Sequence, residues 1–124
     1  MRLHRLLNPR SIAFVGGREC AVAIERTRAL GFDGEIFAIN PKRSELAGLK
    51  TLASVDDIDG SPDAAFIALP RDATPEVVRA LRARNGGGAV IYAAGFAETG
   101  ARDLQESLLA AADGMPLLGP NCYG

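Results

Sequence analysis

Five short apolar runs recur along this chain, and each one ends at or just before a glycine, a proline or an asparagine. The runs cover residues 12–15, 35–39, 64–69, 89–93 and 115–118. Near-continuous apolar runs of this length are typical of strands that are covered on both faces, as in parallel sheets. The sequence therefore predicts a buried parallel sheet.

Helix signals separate most of these runs. Residues 20–30 carry a weak apolar stripe that ends at Gly31. Thr74 before Pro75 predicts a hydroxyl cap and a proline in the first turn of a second helix, which three glycines at 86–88 would stop. The predicted apolar face of this second helix consists of Val77, Val78 and Leu81. The predicted apolar face of the last helix consists of Leu104, Leu108 and Ala111. A looped stretch precedes the third run, and residues 54–57 within it resemble a capping box.

The order of these elements is β-α-β, a looped stretch, then β-α-β-α-β. Strands that alternate with helices form parallel sheets with right-handed crossovers. We therefore predict an α/β fold, a doubly wound, Rossmann-like parallel sheet of five strands, as one domain over residues 1–124. No closing helix follows the fifth run, which would fit either a natural minimal domain or an excised piece, and we expect a domain excised from the N-terminus of a larger protein.

Composition and charge exclude several classes of protein. The 124 residues carry a net charge of −1, so no global basic field attracts nucleic acid. No apolar run approaches the roughly 20 residues of a membrane span. The two cysteines, Cys20 and Cys122, lack the paired spacing of a zinc site and predict reduced thiols, and residues 8–10 break the N-terminal apolar run before a signal peptide is complete. We expect a cytoplasmic protein without a metal.

Ligands of doubly wound sheets bind beyond the carboxyl ends of the strands, where the strand order reverses. After the first strand, Gly16 and Gly17 would let a phosphate approach the backbone at a helix N-terminus, and Arg18 could add a cation. A full dinucleotide fingerprint would need glycine at positions 16, 18 and 21, and the chain has Arg18 and Ala21. A tight turn with a solvated arginine is the alternative.

The end of the second strand distinguishes between nucleotides. An NAD site wants a carboxylate there, and this chain has Asn40, Pro41 and Lys42 instead. A cation in that place favours a ligand with a phosphate on its ribose, either coenzyme A or NADP, although Lys42 could be an ordinary loop lysine. Two further strand ends could line a narrow channel for a pantetheine arm or could be ordinary turns: Leu69 and Pro70, and Ala94 and Gly95 with Phe96.

Taken together, these segments resemble the coenzyme A-binding domain of the NDP-forming acyl-CoA synthetases, the group that includes the succinyl-CoA ligase α subunit. The stand-alone bacterial CoA-binding proteins are similar. The matching segments are residues 7–13, 31–34 with 40–42, 67–70, 94–98 and 118–124. They follow the family's order over nearly the whole chain.

The resemblance implies a domain that holds the nucleotide and pantetheine parts of coenzyme A or an acyl-CoA. It assigns Gly16, Gly17 and Arg18 to the diphosphate, and Asn40, Pro41 and Lys42 to the adenosine phosphate. Leu69, Pro70, Ala94 and Gly95 become walls of the site, and Asn121 and Cys122 lie near the inner end of the pantetheine path. The partners that it implies are CoA and downstream ligase or ATP-grasp domains or a subunit, or a fused acyltransferase domain.

This chain departs from the family after the first strand. Its loop there is shorter, and the family's later glycines are absent. The family's phosphorylated histidine also lies outside this segment, because the one histidine, His4, matches no catalytic motif. We therefore expect no catalytic residue here, none at Cys20 either, and two alternatives to CoA binding stay open: an NADP-binding oxidoreductase domain and an interaction module that has lost its ligand. Homo-oligomerisation is left open too.

Overall fold

The computed structural model describes residues 3–92 and 101–119. Its helices and strands are α1 (His4–Leu7), β1 (Ser11–Gly16), α2 (Arg18–Ala29), β2 (Glu35–Ile39), β3 (Glu45–Leu46), β4 (Leu49–Lys50), β5 (Ala64–Ala68), α3 (Thr74–Ala83), β6 (Ala89–Tyr92), α4 (Ala101–Ala112) and β7 (Leu117–Leu118). Single 3₁₀ turns form at Val55–Asp57 and Arg71–Ala73.

The main sheet has five parallel strands in the order β2-β1-β5-β6-β7. The predicted doubly wound α/β fold is thus confirmed. After β1 the chain moves outward to β2 and then returns to the opposite side of β1 as β5. This reversal separates the crossovers that follow β1 and β5, and it creates a crevice at the carboxyl ends of these two strands.

Alternate residues of the strands feed two apolar layers, as the pleat requires. On one face, Ala13, Ile67 and Ile91 pack with α3 and α4, whose buried residues include Val78 and Leu108. On the other face, α2 covers β1 and β2, where the buried members are Phe14, Cys20, Ile24, Ala38 and Leu46. Coverage of this second face thins toward β6 and β7, since Tyr92 is 45% and Leu118 is 47% exposed.

The stretch expected to be a loop contains a small antiparallel hairpin formed by β3 and β4. Leu46 in this hairpin is 2% exposed and packs against the layer under α2. Leu52 then bridges to Ile39 in parallel, so the chain runs beside the end of β2. Strands of two residues carry too few side chains for an alternating pattern, and the hairpin was therefore missed.

The ends of α3 differ from the prediction. Ala73 is the N-cap and makes no side-chain cap, while Thr74 is buried and its hydroxyl donates to the Pro70 carbonyl at 3.2 Å. The predicted hydroxyl cap was therefore wrong. At the other end, Asn85 adopts the left-handed conformation (φ 62°), and the N–H of Gly86 donates to Leu81 at 2.9 Å in a Schellman turn.

The predicted apolar faces of α3 and α4 and the predicted end of α2 are confirmed. Val78 and Leu81 are buried on α3, and Leu104 and Leu108 are buried on α4. Gly31, with φ 90°, ends α2. Within the described residues no helix is long and apolar enough to cross a bilayer.

Candidate functional site

A hollow of about 510 Å³ opens at the carboxyl ends of β1, β2 and β5. Its volume lies in the range of small-molecule sites. Seven residues predicted from the sequence line it: Gly16, Gly17, Asn40, Pro41, Lys42, Leu69 and Pro70. The fold therefore brings three separate strand ends to one place, beside the point where the strand order reverses.

The turn after β1 leads directly into α2. Gly16 has φ 145° and lies so close to β5 that a Cβ there would overlap the Ala68 carbonyl, so only glycine fits. Gly17 is the N-cap of α2, and a Cβ there would meet only the Asn40 side chain at 3.9 Å. The first backbone N–H groups of a helix lack intrahelical partners and favour anions, and Gly17 brings no side chain to the start of this helix.

The loop after β2 is organised by the Asn40 side chain. Its Nδ2 donates to the carbonyl of Gly16 at 2.9 Å, and its Oδ1 accepts from the backbone N–H of Lys42 at 2.8 Å and of Arg43 at 2.9 Å. The reverse amide orientation would set an NH₂ group against two N–H donors. Asn40 therefore ties the β1 turn to the loop that carries the exposed Lys42.

Part of the wall comes from segments that the sequence analysis did not assign to the site. Ala53 and Ser54 lie at the start of a 3₁₀ turn, and Val77 and Ala80 of α3 close the opposite side. The predicted capping box is confirmed: Ser54 Oγ accepts from the Asp56 N–H at 3.1 Å, and the Asp57 carboxylate accepts from the Ser54 N–H at 3.2 Å. The capping signal located the turn but could not indicate that the turn folds back over the crevice.

The hollow combines apolar walls with separated charges. Val15, Ile39 and Val77 contribute to the apolar side. Lys42 is its cation, whereas Asp56 and Glu76 add carboxylates. A flat heterocycle fits apolar walls, and a phosphate group would find donors at the helix start and at the lysine.

Arg18 does not line this hollow. It borders a separate cavity of about 400 Å³ on the other face of the sheet, with Val22 and Arg26 of α2 and the aromatic rings of Phe66 and Tyr92. The predicted grouping of the Arg18 side chain with Lys42 is therefore absent. Five further residues named in the sequence analysis lie outside the described residues: Ala94, Gly95, Phe96, Asn121 and Cys122.

The side chains near the hollow include no activated nucleophile in the described part of the chain. Cys20 is fully buried beneath Gly16, and burial raises the pKa of its thiol to about 12. Such a thiol stays protonated at neutral pH and is inert. No cluster of three metal-ligating side chains occurs among the residues described.

A larger hollow, about 1100 Å³, lies at the opposite side of the sheet, by the amino ends of β1, β2 and β5. There Arg5 Nε donates to Asp63 at 2.7 Å and the Arg10 N–H donates to the same carboxylate at 2.8 Å. Burial alone would raise the pKa of Asp63, but these hydrogen bonds outweigh it and lower that pKa. Arg5 and Asp63 are therefore engaged in holding α1 to the sheet, and the residues predicted from the strand ends lie at the smaller hollow instead.

Known proteins resemble this chain along nearly its whole length. A family model described as a CoA binding domain matches residues 10–124. A trans-feruloyl-CoA synthase from an unknown prokaryotic organism is 38% identical over 99% of this chain and 19% of its own length. An ADP-forming acetate–CoA ligase of Methanocaldococcus jannaschii is 35% identical over 94% of this chain and 17% of its own length.

Among solved structures, the apo form of a dinucleotide-forming acetyl-coenzyme A synthetase 1 from Ca. Korarchaeum cryptofilum superposes with a TM-score of 0.87. It is 35% identical, and the match covers 99% of this chain and 28% of that chain. The present chain thus spans about a fifth of the curated relatives and under a third of this structural relative.

Proposed function

Because this chain belongs to the family of CoA-binding domains, we propose that the hollow at the ends of β1, β2 and β5 receives the nucleotide end of coenzyme A. The observation that carries the proposal is the convergence of Gly17, Lys42 and Leu69, from three strand ends, on one hollow. A site assembled at the reversal of strand order is where open α/β sheets bind nucleotides.

The phosphates of CoA have two attachment points in this proposal. The diphosphate lies against Gly17 and the first N–H groups of α2, where the absence of a side chain permits close approach. The ribose 3′-phosphate lies beside Lys42. The adenine occupies the apolar part of the hollow between Pro41, Val55 and Val77.

The pantetheine arm would leave the hollow past Leu69 and Pro70. From there it would continue over the ends of β6 and β7, where the family resemblance assigns Ala94, Gly95 and Asn121. These residues belong to the proposal through that resemblance alone. CoA or an acyl-CoA would have the same nucleotide contacts, since the two differ only at the thiol end.

We also propose that the chain is the CoA-binding part of an NDP-forming acyl-CoA ligase. Relatives named as CoA ligases or synthases match 94–99% of this chain while extending well beyond it. Among the described residues, Cys20 is buried and His4 lines the hollow at the other ends of the strands, so in this proposal the chemistry would come from other domains or from a partner subunit. In this arrangement the chain binds CoA without turning it over.

Calorimetric titration of the 124-residue chain with CoA, dephospho-CoA and NADP tests the proposal. CoA should bind more tightly than dephospho-CoA by about tenfold, since one charge-assisted contact is worth about 1.5–3 kcal/mol before solvent screening. Lys42→Met should remove this difference. Arg43→Met, a neighbouring exposed cation that does not line the hollow, is the matched control and should retain it.

Three results would contradict the proposal. Equal affinities for CoA and dephospho-CoA in the wild type would remove the role given to Lys42. Tighter binding of NADP than of CoA would favour an oxidoreductase domain. A thermal melt unmoved by millimolar CoA would favour an interaction module without a ligand, because a ligand well above its dissociation constant stabilises the folded state.

A further inference from the structure

The amide of Asn40 lies between the two turns that the proposed function assigns to the phosphates of CoA. We infer that Asn40 is a positioning residue, which sets the preference for the 3′-phosphate by holding the backbone at Lys42 in place through its side-chain amide. The inference rests on the proposed function. It differs from the sequence analysis, which set Asn40 itself beside the adenosine phosphate.

The hydrogen-bonding capacity of Asn40 is largely used within the protein. Its Oδ1 has two lone pairs, and both face backbone donors, the N–H groups of Lys42 and Arg43 at 2.8 and 2.9 Å. One Nδ2 hydrogen is donated to the Gly16 carbonyl at 2.9 Å. A phosphate is an acceptor only, so Oδ1 could offer it nothing in any case.

The bond to Gly16 continues the sheet by one step. The last residues paired between β1 and β2 are Val15 and Ile39. Beyond that pair the Asn40 side chain takes over from the backbone ladder and binds the final carbonyl of β1. The loop after β2 is thereby kept at a fixed separation from the Gly16–Gly17 turn.

The backbone of Asn40 is anchored independently of its side chain. Its N–H donates to the Leu52 carbonyl at 2.9 Å, and the Leu52 N–H donates to Ala38 at 2.8 Å. Removal of the side chain should therefore leave residue 40 in place and free the N–H groups of Lys42 and Arg43, while the Arg43 carbonyl keeps its hydrogen bond from the Thr51 hydroxyl. Lys42 is exposed, and nothing in its own side chain would then fix its position.

The ligand-free test is hydrogen exchange of backbone amides by NMR in wild type, Asn40→Ala and Asn40→Asp. The amides of Lys42 and Arg43 should exchange slowly in the wild type, about tenfold or more faster in Asn40→Ala, and at an intermediate rate in Asn40→Asp, whose carboxylate keeps the acceptor for these amides but loses the donor to the Gly16 carbonyl. Fast exchange of both amides in the wild type would overturn the tether.

The ligand test uses calorimetry with CoA and dephospho-CoA. Asn40→Ala should lower the CoA preference about threefold to tenfold, because the loss of one or two hydrogen bonds loosens Lys42. In a Lys42→Met background the same substitution should change the ratio of the two affinities little, since coupled residues are non-additive. Asn8→Ala, an exposed asparagine at the opposite side of the sheet, is the matched control.

An equal loss for CoA and dephospho-CoA in Asn40→Ala would overturn the specificity role and leave a merely structural one. If the wild type bound neither compound, the proposed function would fail. Slow exchange at Lys42 that is lost in Asn40→Ala would still establish the tether in that case, so the two failures are distinguishable.

Discussion

Gly16 on β1 and Ala68 on β5 are paired at the end of the ladder between these two strands, and a Cβ on Gly16 would overlap the Ala68 carbonyl oxygen. The two strands thus converge at the place where their carboxyl ends open into the hollow. A side chain at residue 16 would force the strands apart and move every wall that depends on them.

Gly16→Ala should therefore destabilise the fold. The added Cβ meets backbone that cannot rotate away, and the φ of 145° is unfavourable for alanine, so we expect a loss of about 2–4 kcal/mol. Urea denaturation followed by circular dichroism measures this. A variant as stable as the wild type would contradict this prediction, because it would show that β1 and β5 can move apart with no loss in the free energy of unfolding.

Gly17→Ala offers the contrasting case. The Cβ would meet only Asn40 Nδ2 at 3.9 Å, so the free energy of unfolding should change by less than about 1 kcal/mol. The same methyl group would stand where the proposed function places the diphosphate, and the affinity for CoA should then fall about tenfold. Calorimetry and urea denaturation on one preparation separate the two effects. Unchanged affinity would move the diphosphate away from this turn.

The ion pair of Arg5 and Asp63 predicts a pH-dependent stability. Hydrogen bonds from Arg5 and from the Arg10 N–H hold the pKa of Asp63 below its ordinary 3.8, against the rise that burial alone would cause. A lowered pKa in the folded state means that the stabilisation is complete above the unfolded value and is lost as the pH falls through the folded value.

Asp63→Asn should accordingly cost about 1–3 kcal/mol at pH 7, since it breaks a charge-assisted pair in a half-buried setting. The difference from the wild type should shrink once the pH falls below about 3.8. Thermal melts between pH 2 and 8 are the measurement. A difference that grows toward acid pH would reverse the assigned sign.

Cys20 should be protected from alkylation while the protein is folded. The side chain is 0% exposed, so the reagent cannot reach the sulfur. Burial also raises the thiol pKa to about 12, so little reactive thiolate is present at pH 8. In a Cys122→Ser variant, iodoacetamide should modify Cys20 about a thousandfold more slowly than in urea, because reaction requires opening of the fold. Mass spectrometry over time follows the modification, and a native rate near that of the unfolded chain would contradict the burial.

Several features could be predicted from local patterns because their cause is local. The apolar runs at residues 35–39 and 64–69 are strands because both faces are covered, and Gly31 ends α2 because it supplies a positive φ. The Ser54 capping box needs only four neighbouring residues. The predicted Thr74 cap was wrong because its cause lies in the preceding chain. That chain forms a turn, and the Thr74 hydroxyl donates to the Pro70 carbonyl instead of capping the helix.

The amino-acid sequence by itself determined the order of strands and helices, the doubly wound α/β class and the strand ends where a nucleotide could bind, because periodicity and turn residues act over a few neighbours. Only the tertiary structure decided which of those residues meet. The fold brings the 3₁₀ turn after Ser54 over the hollow, sends the Arg18 side chain to the other face and joins Asn40 to Gly16. These are contacts between residues distant in the chain, and packing of the whole sheet sets them.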